Sequence, residues 1–134
     1  MAQSEIAEGG KSGVRATGHC LCGAIEIEIR GKLRDVVVCH CGQCRRSHGA
    51  LGVYTLAPSE RYKIKGDRNL AWFESSPGIR RGFCRVCGSK LFWERIGSGQ
   101  LDVTMGSIDP PSGLKIVKHI HLEDAGDYYD PPSR

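Results

Sequence analysis

No stretch of this 134-residue chain approaches the roughly 20 consecutive apolar residues that a membrane-spanning helix needs, so a membrane partner is not expected. The opening Met1 to Gly13 segment is polar and lacks the apolar core of a secretory signal, which favours a reducing, cytoplasmic setting. Sustained helical periodicity is missing as well, and helices are therefore expected to be minor. No internal repeat is visible, although two cysteine-bearing hairpins could form a pseudo-symmetric pair. No cysteine stands alone: all seven fall into three tight groups, Cys20 with Cys22, Cys39 with Cys41 and Cys44, and Cys84 with Cys87.

What is present is a series of short strands. Ile25, Ile27 and Ile29 alternate with Glu26, Glu28 and Arg30, the period of a half-buried strand. Val36 to Val38 reads as a buried strand that delivers Cys39. Further strands are expected at 51–56, 61–65, 70–73, 79–84, 90–95 and 101–105, separated by Gly, Pro, Asn and Asp. A short helix fits only around Cys44 to His48. Eighteen glycines, about twice the average share, suit a loop-rich sheet protein. The expected organisation is a flexible tail over 1–17, one β domain over 18–123, and an extended surface tail over 124–134.

The cysteines are better metal ligands than disulfide partners. Seven thiols cannot all pair, and C-x-C and C-x-x-C spacings recur in zinc sites of reduced proteins. Cys22, Cys41 and Cys87 are each followed by glycine, which tolerates positive φ and lets amides turn toward a bound sulfur. Seven ligands divide into a closed site of four and an open site of three. One partition joins Cys20 and Cys22 to Cys84 and Cys87 and leaves Cys39, Cys41 and Cys44 together. A rival closes a ribbon from Cys41, Cys44, Cys84 and Cys87. The first is favoured, because a local C-x-C-x-x-C can hold a metal on one face and leave the other free. Each of seven thiolates removes one charge and each of two zinc ions adds two, which brings the formal +4 to about +1. Nucleic acid is accordingly not an expected partner.

Three runs carry a resemblance: Gly18-His19-Cys20-Leu21-Cys22-Gly23, then Cys39-His40-Cys41-Gly42-Gln43-Cys44-Arg45-Arg46-Ser47-His48-Gly49, then Phe83-Cys84-Arg85-Val86-Cys87-Gly88-Ser89. In this order they resemble the glutathione-dependent formaldehyde-activating enzyme family, which also includes centromere protein V. His119-Ile120 and Asp127-Tyr128-Tyr129-Asp130 look like the family's ending. The resemblance spans about 18 to 130. It implies a mainly β, zinc-stabilised domain of short coiled antiparallel sheets, the β-tent type, with two Zn²⁺ per chain. Cys20, Cys22, Cys84 and Cys87 match the structural zinc, and Cys39, Cys41 and Cys44 the catalytic one. The implied reaction is the condensation of glutathione with formaldehyde to S-(hydroxymethyl)glutathione, a carbon–sulfur lyase or synthase step.

Other side chains are assigned around that expectation. Arg45 and Arg46 follow Cys44 and are candidates to attract the carboxylates of a glutathione-like thiol. His48 is a candidate proton shuttle, with a helix cap as the plainer role. His19 and His40 should point away from a metal, by strand alternation. His119 is a candidate to line the pocket, and His121 is expected at the surface. Trp72, Phe73, Phe92 and Trp93 are expected in the core, with room for one to wall the pocket. The H-x-E and P-C-x-x-C order of zinc deaminases is absent. Two other readings remain: a non-catalytic zinc-stabilised binding module, which the short, nearly neutral N-terminal extension disfavours, and a zinc- or redox-responsive thiol protein. The reading leans toward an enzyme whose partners are a small thiol and an aldehyde; a homodimer is compatible with it.

Overall fold

The computed structural model describes residues 13–132. Among them ten strands follow in order: β1 (Val14–His19), β2 (Glu26–Arg30), β3 (Val36–Cys39), β4 (Gly52–Pro58), β5 (Tyr62–Lys65), β6 (Leu70–Ser76), β7 (Ile79–Cys84), β8 (Lys90–Arg95), β9 (Gln100–Thr104) and β10 (Ile116–Ile120). One α-helix, α1 (Gly42–His48), separates β3 from β4. The domain is thus mainly β with little helix, as expected. None of the described helices is long and apolar enough to cross a membrane.

Alternation decides β2. Ile27 and Ile29 point inward at 1% and 0% exposure while Glu26 and Arg30 face solvent. β2 lies between β1 and β5 in a three-stranded antiparallel sheet. The other strands form a seven-stranded sheet in the order β10-β3-β4-β9-β8-β7-β6. Its pairs are antiparallel except at one edge, where β10 runs parallel to β3 with Ile120 opposite Cys39. The sheets share one core: Ile25, Ile27 and Ile29 pack with Ala57, Leu91, Phe92, Leu101 and Val103. Phe92 anchors it, stacked on Trp72 at 6.1 Å and meeting Tyr62 edge-on. Phe73, expected in the core, is 63% exposed.

Two strands depart from the sequence expectation. β1 starts at Val14, inside the expected tail, and its inward positions are Arg15 and Gly18 rather than apolar residues. Residues 1–12 lie outside those described. β10 has no alternating apolar face: Ile116, Val117 and Lys118 are all exposed, and its place is set by pairing with β3. Both are edge strands, where period-2 patterning is weakest.

Phe92→Ala should lower unfolding free energy by about 3–5 kcal/mol, whereas Phe73→Ala should change it by less than about 0.5 kcal/mol. Denaturant titration of the metal-loaded variants checks the contrast, and equal losses would contradict the core assigned to Phe92.

Candidate metal centres and active site

Backbone turns bring the sulfurs together. Cys20 and Cys22 follow the end of β1, Cys84 closes β7, and Cys87 sits in the turn before β8. Their four Sγ atoms lie within 4.8 Å of one another. Cys20 Sγ is 3.7 Å from Cys22 Sγ, and Cys22 Sγ is 3.9 Å from Cys84 Sγ. A tetrahedral ion with metal–sulfur bonds of about 2.3 Å requires sulfur edges of about 3.8 Å, so this donor set fits zinc. Gly23 and Gly88 take φ of 82° and 81°, as the Cys-Gly pairs suggest. The amides of Ile25, Ala24 and Val86 then donate to the sulfurs of Cys20, Cys22 and Cys84 at 3.3, 3.4 and 3.3 Å. Such bonds stabilise negative sulfur.

Cys39, Cys41 and Cys44 form a second group, also within 4.8 Å. Among the described residues no fourth His, Cys, Asp or Glu atom joins it. Cys41 is the N-cap of α1 and its sulfur accepts from the Cys44 amide at 3.3 Å. Gly42 is therefore the first helical residue and not a positive-φ turn. Gly52 lets β4 approach the helix: a Cβ there would stand 2.6 Å from the Tyr54 ring and 3.2 Å from Cys44 Sγ. All three cysteines line a cavity of about 450 Å³, with Arg34, Gln43, Tyr54, Arg81, Trp93, Asp102 and His121 also on its walls.

The cavity's arginines are not those expected. Arg45 and Arg46 stand one and two positions beyond Cys44, which at about 100° per residue turns them off its face. Neither lines the cavity; both lie in the last turn of α1, where positive charge complements the helix dipole. Arg46 instead borders a neighbouring cavity of about 310 Å³. Arg81, on β7, takes the position. Its Nη2 donates to Gln43 Oε1 at 3.2 Å and lies 3.9 Å from Cys44 Sγ. Arg81 Nε and Nη1 are buried without a hydrogen-bond partner in the protein. Nothing in the sequence marks Arg81 over its neighbour Arg80, which pairs with Glu94 at 2.6 Å.

His48 shares the Cys44 face of α1 and its Nε2 lies 2.7 Å from Tyr54 Oη. Burial, helped by Arg81 and Lys90, pushes the His48 pKa down to about 4, so the ring is neutral near pH 7. Burial also raises Tyr54 above the usual tyrosine range. Tyr54 thus keeps its proton and shares a hydrogen bond with His48 Nε2. Asp102 is pushed up to about 6 by burial, against the opposing pull of Arg34 at 3.3 Å. Of Trp72, Phe73, Phe92 and Trp93, it is Trp93 that lines this cavity.

The remaining histidines sort by strand face. His19 is exposed, 3.9 Å from Asp109. His40 is buried behind the sulfur loop, and His119 joins it there rather than lining the cavity. His121 does reach the cavity, because its left-handed backbone (φ 57°) breaks the alternation of β10.

Comparison with known proteins agrees with this geometry. The profile of the family described as glutathione-dependent formaldehyde-activating enzyme matches residues 15–124. The chain belongs to that family. It is 26% identical to an uncharacterised lyase of Schizosaccharomyces pombe over 57% of its own length, and it spans about half (55%) of that curated relative. A crystal structure of a Rhodobacter sphaeroides protein shares 26% identity and a TM-score of 0.63, covering 77% of this chain and 98% of the other.

Cys87→Ala should leave a chain that unfolds or aggregates, whereas Cys44→Ala should fold with one metal ion fewer; metal analysis and circular dichroism of both variants test this, and equal damage would contradict two separate centres. His48 supplies a pH test. Its folded pKa of about 4 lies below the ordinary 6.5, so its contribution is complete above pH 6.5 and is lost as pH falls toward 4. The Tm advantage of the wild type over His48→Gln should shrink across that window, and a constant difference would contradict the buried neutral ring.

Proposed function

We propose that the protein is a zinc-dependent carbon–sulfur lyase or synthase that joins a small thiol to an aldehyde, with glutathione and formaldehyde as the substrates its family's name suggests. Zinc at Cys20, Cys22, Cys84 and Cys87 is structural, and zinc at Cys39, Cys41 and Cys44 serves the reaction. The observation that carries the reading is the unequal saturation of the two centres. The first has four protein sulfurs, while the second has three and opens on a cavity.

When bound at the three-sulfur site, zinc supplies a fourth position at which an incoming thiol is held as thiolate. The residues around it bind and orient. Arg81 lines the cavity and presents positive charge beside Cys44, a fit for the carboxylate of an anionic thiol. Trp93 and Tyr54 give the cavity wall aromatic surface. Addition of the thiol sulfur to the aldehyde carbon forms one C–S bond, and the carbonyl π electrons become an alkoxide. The proton leaving the thiol balances that charge. Tyr54 Oη, backed by His48 Nε2, can receive that proton while passing its own to His48, then return it to the alkoxide oxygen. A ring with a pKa near 4 keeps the proton only briefly, which suits a relay. Reduced thiols in both clusters suit a cytoplasmic setting.

Exchange NMR on glutathione and formaldehyde, with and without zinc-loaded protein, tests the reaction. The exchange rate should rise with protein concentration; a rate independent of protein would remove this activity. Arg81→Met should raise KM for glutathione by about 10-fold or more and affect an uncharged thiol far less. Equal losses with both thiols would assign Arg81 a structural role.

A further inference from the structure

The C-terminal segment lies on the surface and is tied to the domain by two tyrosines. Tyr129 Oη lies 2.6 Å from His40 Nδ1, and the two rings stack at 5.8 Å. Tyr128 Oη donates to the carbonyl of Gly49 at 2.8 Å. These attachments fall at opposite ends of the stretch that carries Cys39, Cys41 and Cys44. His40 stands between Cys39 and Cys41, and Gly49 is the C-cap of α1, where its amide closes on Arg45 O at 2.8 Å.

His40 is built to receive the tail. It is 1% exposed, and alternation along β3 turns it to the face opposite the cavity that Val37 and Cys39 line. Its Nε2 lies 3.0 Å from His119 Nδ1, and its amide donates to Ile120 O at 3.0 Å. One residue therefore ties the sulfur loop to β10 and to the tail. The tail is shaped for the contact: a Cβ at Gly126 would stand 2.5 Å from the Tyr128 ring.

The four-cysteine cluster has no such need, because Cys20 and Cys84 are embedded in the core. We propose that the segment Gly126 to Tyr129 is a clasp that holds the Cys39–Cys44 loop in metal-binding geometry, with Tyr129 and Tyr128 as positioning residues for the open centre alone. The inference rests on the reading that this centre binds metal. Groups that orient ligands without touching the metal commonly change its affinity by 10-fold or more, and loss of the Tyr129 hydroxyl should act in the same sense.

The test uses the full-length chain loaded with two equivalents of Co²⁺ or Zn²⁺. Transfer to a chromophoric chelator is followed for the wild type, Tyr129→Phe, Tyr128→Phe and the double variant, with Cys44→Ala identifying the phase that belongs to the open centre. Tyr129→Phe should speed that phase on the order of 10-fold, shift the thiolate-to-cobalt absorption of that centre, and leave the other phase unchanged; the double variant should be faster still. Unchanged release of both ions would overturn the clasp while leaving two metal centres standing, and equal acceleration of both phases would reduce the tyrosines to general stability. A wild-type chain that takes up a single ion would remove the open-centre reading and the clasp together.

Discussion

Four sulfurs brought to within 4.8 Å from segments 62 residues apart are the constraint on which the rest of the domain depends. Four thiolates at that spacing repel one another, and as thiols they offer weak hydrogen bonds and little apolar area. A divalent cation turns the same packing into a gain of about 10–16 kcal/mol in small zinc peptides, comparable with the whole stability of a domain. Cys20 and Cys84 belong to the core cluster that contains Ile25 and Phe92, so an ion held there would close the seam between the two sheets. With a metal at these four sulfurs, folding and metal uptake would be one equilibrium.

That seam also leaves the three-cysteine group free of the fold's main load. With the sheets already fixed, the loop from β3 into α1 need not bear the fold, and its three sulfurs can face a cavity. The surrounding elements place their side chains about it: Arg81 from β7 beside Cys44, Tyr54 from β4 with His48 behind it, and Trp93 from β8 on the wall. Each comes from a different element, and their meeting point is set by strand order.

This division explains what could be read from the chain. The strands β2 to β9 were legible because their residues alternate or run apolar between turn residues, and the two cysteine groups because the spacing within each short motif is local. β1 and β10 were not, since their inward or paired positions are Arg15, Gly18 and exposed aliphatics. Arg45 and Arg46 drew attention by standing next to Cys44 in sequence, but a helix turns neighbours away from one another. Arg81 was invisible because its place depends on β7 lying near the helix across the cavity. His119 and His121 exchanged roles for a backbone reason, a left-handed residue at the end of β10.

The open centre poses a mechanical problem that the closed one does not. Four ligands from two distant segments hold each other in place, whereas three ligands on one short loop can spread apart whenever the loop breathes. Pre-organisation has to come from outside the ligand set. The sulfur-capped turn of α1 and the close approach at Gly52 brace the cavity side. On the opposite side, His40 ties the same loop to β10 and to Tyr129. Because successive residues at the end of β3 point to opposite faces, Cys39 and His40 divide the work: the sulfur faces the cavity, and the adjacent imidazole anchors the backbone that carries it.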